Sequence, residues 1–154
     1  MEITSFDSIE EYKSEDIKSL NHSRLINRIC IALDKYDNQY DVLPELELEL
    51  EGKKVKPDLS IYANLQFDWL NDIIFFDKAP LTVIEILSPK QAFTDLTDKV
   101  YKIYLPQGVQ SVWIVLPPIK HIYIFTKDEQ LTFTQGVLKD PTNHIETPLE
   151  EVFK

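Results

Sequence analysis

From residue 14 onward, apolar side chains return every three or four positions: Ile17, Leu20, Ile26, Ile29, Cys30 and Leu33. That period predicts an amphipathic helix from Ser14 to about Tyr36, closed by Asp37 and Asn38. Residues 1–13 read as a lead-in. Over residues 40–64 the period drops to two. Leu46, Leu48 and Leu50 point to a core while the glutamates between them point to water. With "EGKK" as the turn and Val55, Leu59 and Ile61 on the return strand, this predicts a hairpin. The aromatic-rich stretch "NLQFDWLNDIIFFDKAP" fits either a short helix or a flap.

Four further elements follow. "LTVIEIL", residues 81–87, is apolar enough for a strand buried on both faces. Residues 94–108 predict a helix with Leu96, Val100, Ile103 and Tyr104 inward and Pro106 and Gly108 at its end. "SVWIVLPP" is a strand stopped by Pro117 and Pro118, and "HIYIFT" with "QLTFTQ" makes a last hairpin. "PLEEVFK" is a short terminal element. The strand–helix–strand unit in the middle implies one parallel pair with a right-handed crossover, and the other pairings are antiparallel. The expected fold is α/β, a mixed sheet flanked by helices in a single domain over 1–154. Its core covers about 19–126, and 127–154 supply the last hairpin strand and a tail.

Composition narrows the setting. The 154 residues are 44% hydrophobic and 27% charged, as in a globular domain with a real core. No apolar run approaches the ~20 residues of a membrane span, and the acidic N-terminus is unlike a signal peptide. The single cysteine, Cys30, cannot form an internal disulfide, which favours a reducing cytoplasm. The net charge of −10 argues against a broadly basic nucleic-acid-binding surface but leaves room for a local basic groove.

Glu85 is the residue out of place. A carboxylate inside an apolar strand must be paired, protonated or metal-bound. It lies near the C-terminal end of its strand, where open α/β sheets place ligand sites. Asp58 follows Pro57 and shares a strand face with Ser60 and Tyr62. If the two strands are neighbours, the carboxylates converge, and with backbone carbonyl and water oxygens they suit Mg²⁺ or Mn²⁺. Plainer readings stand beside this one: Asp58 as a Pro-Asp turn residue, and Glu85 as one half of a buried ion pair with a lysine. Asp95 and Lys99 are spaced i, i+4, which suits an ordinary helix-surface pair as well as a lysine reaching the strand end. His22 stands in line with Ile26, Ile29 and Leu33, so it is either a satisfied half-buried side chain or one directed to the carboxylates.

The ordered set Pro57-Asp58, Glu85-Ile86-Leu87-Ser88-Pro89, Asp95 with Lys99, Tyr104, Gly108-Val109 and Trp113, preceded by His22, resembles the Uma-type restriction endonuclease family of the PD-(D/E)XK nuclease superfamily. The resemblance covers roughly residues 19–126. It implies a restriction-endonuclease-like fold and a divalent metal, Mg²⁺ or Mn²⁺, on Asp58, Glu85 and the Ile86 carbonyl. It also implies Lys99 as catalytic lysine, with His22, Asp95, Ser88 and Tyr104 in support. The superfamily's usual lysine stands two residues after the glutamate, where this chain has Leu87; Lys99 from the next helix is the substitute, and Lys90 is a poorer one. The implied activity is hydrolysis of phosphodiester bonds, DNA first among nucleic acids, by metal-activated water. A homodimer is a further expectation of the resemblance. Lys53, Lys54, Lys56 and Lys90 are candidate contacts to a phosphate backbone. The alternative is a catalytically inactive domain of the same fold that binds partners through the exposed aromatics of "FDWLNDIIFF". An enzyme acting on another phosphate-containing substrate is not separable from the first reading by sequence.

Overall fold

The computed structural model describes residues 18–154. Helix α1 runs over Leu20–Leu33 with Ser19 as its N-cap, whose hydroxyl accepts from the His22 N–H at 3.2 Å. The expected start at Ser14, and Ile17 with it, lie outside the described residues. Residues 18 and 19 are not helical, and α1 starts at Leu20 behind its Ser19 cap. Leu20 is 85% exposed and leaves the apolar stripe, while Leu25 is buried and completes the line Leu25, Ile29, Leu33. A helix of this length is marginal alone. Burying those three side chains is worth about 1.5–3 kcal/mol each, and that packing fixes where His22 stands.

The strands are β1 (Asp41–Pro44), β2 (Leu48–Leu50), β3 (Lys53–Val55), β4 (Leu59–Tyr62), β5 (Thr82–Ile86), β6 (Ser111–Leu116), β7 (His121–Phe125), β8 (Gln130–Phe133), β9 (Val137–Lys139) and β10 (Glu146–Pro148). The main sheet has the order β1-β4-β5-β6-β7-β8. Within this sheet only β5 and β6 run parallel, joined through helix α2 (Phe93–Lys99) and a wide turn at Val100–Tyr104; its other strand pairs are antiparallel. The mixed α/β architecture is therefore the expected one. Strands β5 and β6 are buried at every position. Alternation sorts their side chains between two cores: Ile84, Ile86, Trp113 and Val115 pack with α1, and Val83, Val112 and Ile114 pack with α2.

The single hairpin expected over 40–64 is two structures. β1 and β4 pair in the main sheet, while β2 and β3 form a separate ribbon. Glu45 has φ 54° and Pro57 has no N–H to donate, so the ladder cannot run through. The ribbon's turn is Glu51-Gly52, with φ 47° and 80°, the two positive values a type I′ loop needs. Lys53 and Lys54 therefore belong to β3 and not to the turn.

Residues 63–79 form no helix and no regular strand; their one ladder contact is a bridge from Phe76 to Leu48. The Asp68 side chain accepts the N–H groups of Leu70 and Asn71, and Asp72 accepts that of Ile73, which draws the backbone away from regular structure. Phe76 anchors the segment edge-on against Tyr62, with ring centroids 5.3 Å apart.

Beyond residue 126 the chain still contributes to the core. β9 and β10 pair, helix α3 (Leu149–Val152) follows, and Leu138, Ile145, Leu149 and Val152 are buried beside α1. Arg28 donates from Nε and Nη2 to the Glu151 carbonyl at 3.2 and 3.1 Å, tying α1 to α3.

Candidate functional site

β4 and β5 pair with Leu59 opposite Ile84, so one step further Asp58 stands opposite Glu85. Each carboxylate is fastened to the other residue's strand. The Asp58 N–H donates to Glu85 Oε1 at 3.1 Å, and the Ile86 N–H donates to Asp58 Oδ2 at 2.7 Å. Both residues are buried. The backbone of two strands thus holds the carboxylates, where side-chain rotamers alone would leave them loose.

The free oxygens meet cations and donors. His22 Nε2 lies 3.0 Å from Asp58 Oδ1, and Lys18 Nζ lies 3.4 Å from the same oxygen. Tyr104 donates its hydroxyl to Glu85 Oε2 at 3.0 Å, and Lys99 Nζ is 3.7 Å from that oxygen. Lys99 and Tyr104 are five residues apart, a spacing that an α-helix places on different faces. The turn at Val100–Tyr104 is of the π type, with the Leu105 N–H donating to the Val100 carbonyl at 2.9 Å. Its extra residue per turn brings Lys99 and Tyr104 to one oxygen, as such turns recurrently do at functional sites.

Burial acts on both carboxylates, with opposite net results. At Asp58 burial works to raise the pKa, but the hydrogen bond and charge of His22, the Ile86 N–H and Lys18 outweigh it, and the carboxyl is held below its ordinary value. At Glu85 burial is the largest influence and the charge of Asp58 adds to it; Lys99, the Asp58 N–H and Tyr104 oppose them. Glu85 is pushed up to about 7. Of the two carboxyls, Glu85 is therefore the one that takes up a proton first as the pH falls through neutrality.

The structure brings together Asp58, Glu85, Ile86, Lys99, Tyr104 and His22. It gives Ser88 and Asp95 other surroundings. Ser88 is buried three residues beyond Glu85, with its N–H donating to Gln91 Oε1 at 3.3 Å. Asp95 caps α2 by accepting from the Ala92 N–H at 2.9 Å. The four lysines suggested for a phosphate backbone have other contacts or face solvent. Lys53 donates to the Lys102 carbonyl at 3.4 Å, Lys54 lies over the Phe75 ring at 4.5 Å, Lys56 is 4.0 Å from Glu47, and Lys90 is exposed. Leu87 packs into the core under α2 at the position where a lysine would be usual, so the amine at Glu85 comes from Lys99.

Two features escape sequence reasoning. Lys18 precedes the helix, where no periodicity marks it. Asp140 reads as part of a turn, "DPTN", yet it is buried. Its Oδ2 accepts from Ser111 Oγ at 2.6 Å, Trp113 Nε1 at 2.7 Å and Asn143 Nδ2 at 3.2 Å, and its Oδ1 from the Thr142 N–H at 2.8 Å. Only tertiary packing buries it, so its own neighbours in sequence carry no signal.

Among the described residues no three His, Cys, Asp or Glu side chains cluster as a metal-ligand set. What the site offers is two adjacent carboxylates and the backbone of Ile86, hard oxygen donors of the kind Mg²⁺ and Mn²⁺ take while keeping several waters. Burial first and the charge of Asp58 second raise the pKa of Glu85, and a divalent cation held there would offset both.

Among the described residues no helix is long and apolar enough to cross a membrane. No curated protein matches the chain. Among solved structures, the crystal structure of a putative nuclease belonging to DUF820 from Anabaena variabilis aligns with a TM-score of 0.73 and 21% identity. The alignment covers 89% of this chain and 82% of that one, a likeness of fold. The model of the Uma2 family, described as "Putative restriction endonuclease", matches residues 14–152, nearly the whole length, and the chain belongs to that family.

Proposed function

We propose that the protein is a metal-dependent nuclease that hydrolyses phosphodiester bonds, DNA first, as one domain in a reducing cytoplasm. The observation that carries this reading is the reciprocal fastening of Asp58 and Glu85 with Lys99 at their side. Asp58, Glu85 and the Ile86 carbonyl would hold Mg²⁺ or Mn²⁺. A divalent cation bound there supplies charge neutralisation and makes coordinated water more acidic. The chain's own residues do the rest. Tyr104 and the Asp58 N–H fix the orientation of Glu85; His22 and Lys18 fix Asp58. Lys99 stands as a cation at the pair, placed to hydrogen-bond a phosphoryl oxygen or the attacking water as the phosphorus–oxygen bond breaks. A homodimer, as many nucleases of the superfamily form, is part of the same reading.

The test is incubation of the purified protein with plasmid DNA, single-stranded DNA and RNA, in Mg²⁺ or Mn²⁺ and in excess chelator. Cleavage with metal and none with chelator is expected. No cleavage of any substrate with either metal would leave the inactive, partner-binding reading in its place.

Metal affinity should depend on pH with a definite sign. Below about 7 Glu85 is protonated in the metal-free protein, and a cation must displace that proton. Affinity should then fall by up to about tenfold per pH unit below neutrality and level off above it. Calorimetric titration with Mn²⁺ reads this directly. Affinity that stays flat from about pH 5 to 8 counts against a site that uses Glu85.

A further inference from the structure

Beside the carboxylates lies a cavity of about 510 Å³ that none of the roles above uses. Three chain segments build it: the start of α1, the turn after β5 and the two prolines after β6. Lys18 precedes the first segment and touches Asp58, and the second begins two residues after Glu85, so the cavity adjoins the proposed reaction centre.

Two independent observations give the cavity a chemistry. The first is the N-terminus of α1. Ser19 satisfies the His22 N–H, and the Ser23 N–H returns to the Ser19 carbonyl. The N–H groups of Leu20 and Asn21 have no acceptor among the described residues, as expected of a first turn. That turn carries no acidic side chain to offset the positive end of the helix dipole. The second observation is Ser88. It is 4% exposed and lines the same cavity, and its hydroxyl has no hydrogen-bond partner among the described residues. Ser88 is thus a nearly enclosed residue lining a space onto which the first turn of α1 also opens. Leu20, Leu87, Pro89, Pro117 and Pro118 make most of the remaining wall apolar, with Gln91 as its further polar member, and the 85% exposure of Leu20 suits a surface that a ligand covers.

We infer that this cavity is a second phosphate subsite, which takes the phosphodiester and sugar of the nucleotide next to the scissile bond. The Leu20 and Asn21 N–H groups and the Ser88 hydroxyl donate to the phosphate oxygens, and the leucines and prolines cover the sugar or base. The inference rests on the nuclease reading and names the part of the substrate that the carboxylates do not touch.

The test uses the metal-free full chain, an NMR titration with thymidylyl-thymidine, and thymidine as the phosphate-free control. The dinucleotide should shift the amides of Leu20, Asn21 and Ser88, and thymidine should not. Ser88→Ala should weaken binding about five- to tenfold. Leu20→Pro should do the same, because proline at the first helical position removes one donor without disturbing the helix. Ser19 at φ −94°, ψ 170° already has the extended backbone that a following proline requires. Equal shifts with thymidine, shifts confined to other residues, or wild-type affinity in both variants would each overturn the inference. Glu85→Gln separates it from the nuclease reading. Retained dinucleotide binding by that variant is expected. If its cleavage also stays at the wild-type level, the reading of the carboxylates fails and the subsite stands. Cleavage that depends on Glu85 without any shift at the cavity has the opposite meaning.

Discussion

Glu85→Gln is expected to lower metal-dependent cleavage by about 10³-fold or more. The effect follows from what the substitution keeps and what it removes. The glutamine keeps the volume of the side chain and an oxygen to accept the Asp58 N–H. It removes one of two negative charges that a cation needs, and charge stabilisation of the transition state by a metal is worth several kcal/mol. Stability should move the other way. Burial and Asp58 push Glu85 up to about 7, well above its ordinary 4.5. Between those two values the folded protein holds a proton that the unfolded chain has lost. Folding therefore becomes less favourable as pH rises across that window, and above it the buried charge is a standing cost. A neutral glutamine escapes that cost, so the variant should unfold at the same temperature or a higher one at about pH 8. Plasmid cleavage and thermal unfolding on one preparation check both halves. Cleavage at the wild-type rate in the variant would mean that a contaminant cuts the DNA or that Glu85 holds no metal.

Asp140→Ala is expected to destabilise the fold by about 3–5 kcal/mol, the range for breaking a buried charged network by removing one partner. Ser111 Oγ, Trp113 Nε1, Asn143 Nδ2 and the Thr142 N–H and hydroxyl all converge on this one carboxylate. Thr82 joins through Ser111 at 2.7 Å and Asn143 at 2.9 Å. The network links the N-terminal ends of β5 and β6 to the chain before β10, so its loss leaves several buried donors unmet at once. For a domain of this size the melting temperature should fall by roughly 6–20 °C. Asp140→Asn retains one acceptor and should lie between. Chemical denaturation measures the difference; a loss under about 1 kcal/mol would show that the donors find other acceptors.

The parts of the fold that could be read in advance are those where burial has a period. The strands at 82–86 and 111–116, the helix after the first of them and their parallel pairing follow from runs of apolar residues with breakers at fixed places. The meeting of Asp58 and Glu85 was also legible, because period two puts Asp58 on one face and an apolar strand exposes Glu85 as an anomaly. The misreadings have local causes. The ladder from residue 40 to 64 breaks because Glu45 takes a left-handed backbone, which alternation does not reveal. The five-residue spacing of Lys99 and Tyr104 looks wrong for a shared face until the wide turn is seen. The Asp140 network was invisible, since a turn sequence carries no mark of being buried by residues thirty positions away.

The exposed connection and the buried network each hold one of the chain's two tryptophans. Trp69 is 92% exposed and stacks on Phe67, whereas Trp113 is fully buried with its indole N–H on Asp140. Their fluorescence should therefore separate, red-shifted and open to a soluble quencher for the first, blue-shifted and shielded for the second. A molecule that settles on the connection alters only the quenchable emission, and unfolding alters the shielded one. The protein carries two optical reporters of its own, one for its surface and one for its interior.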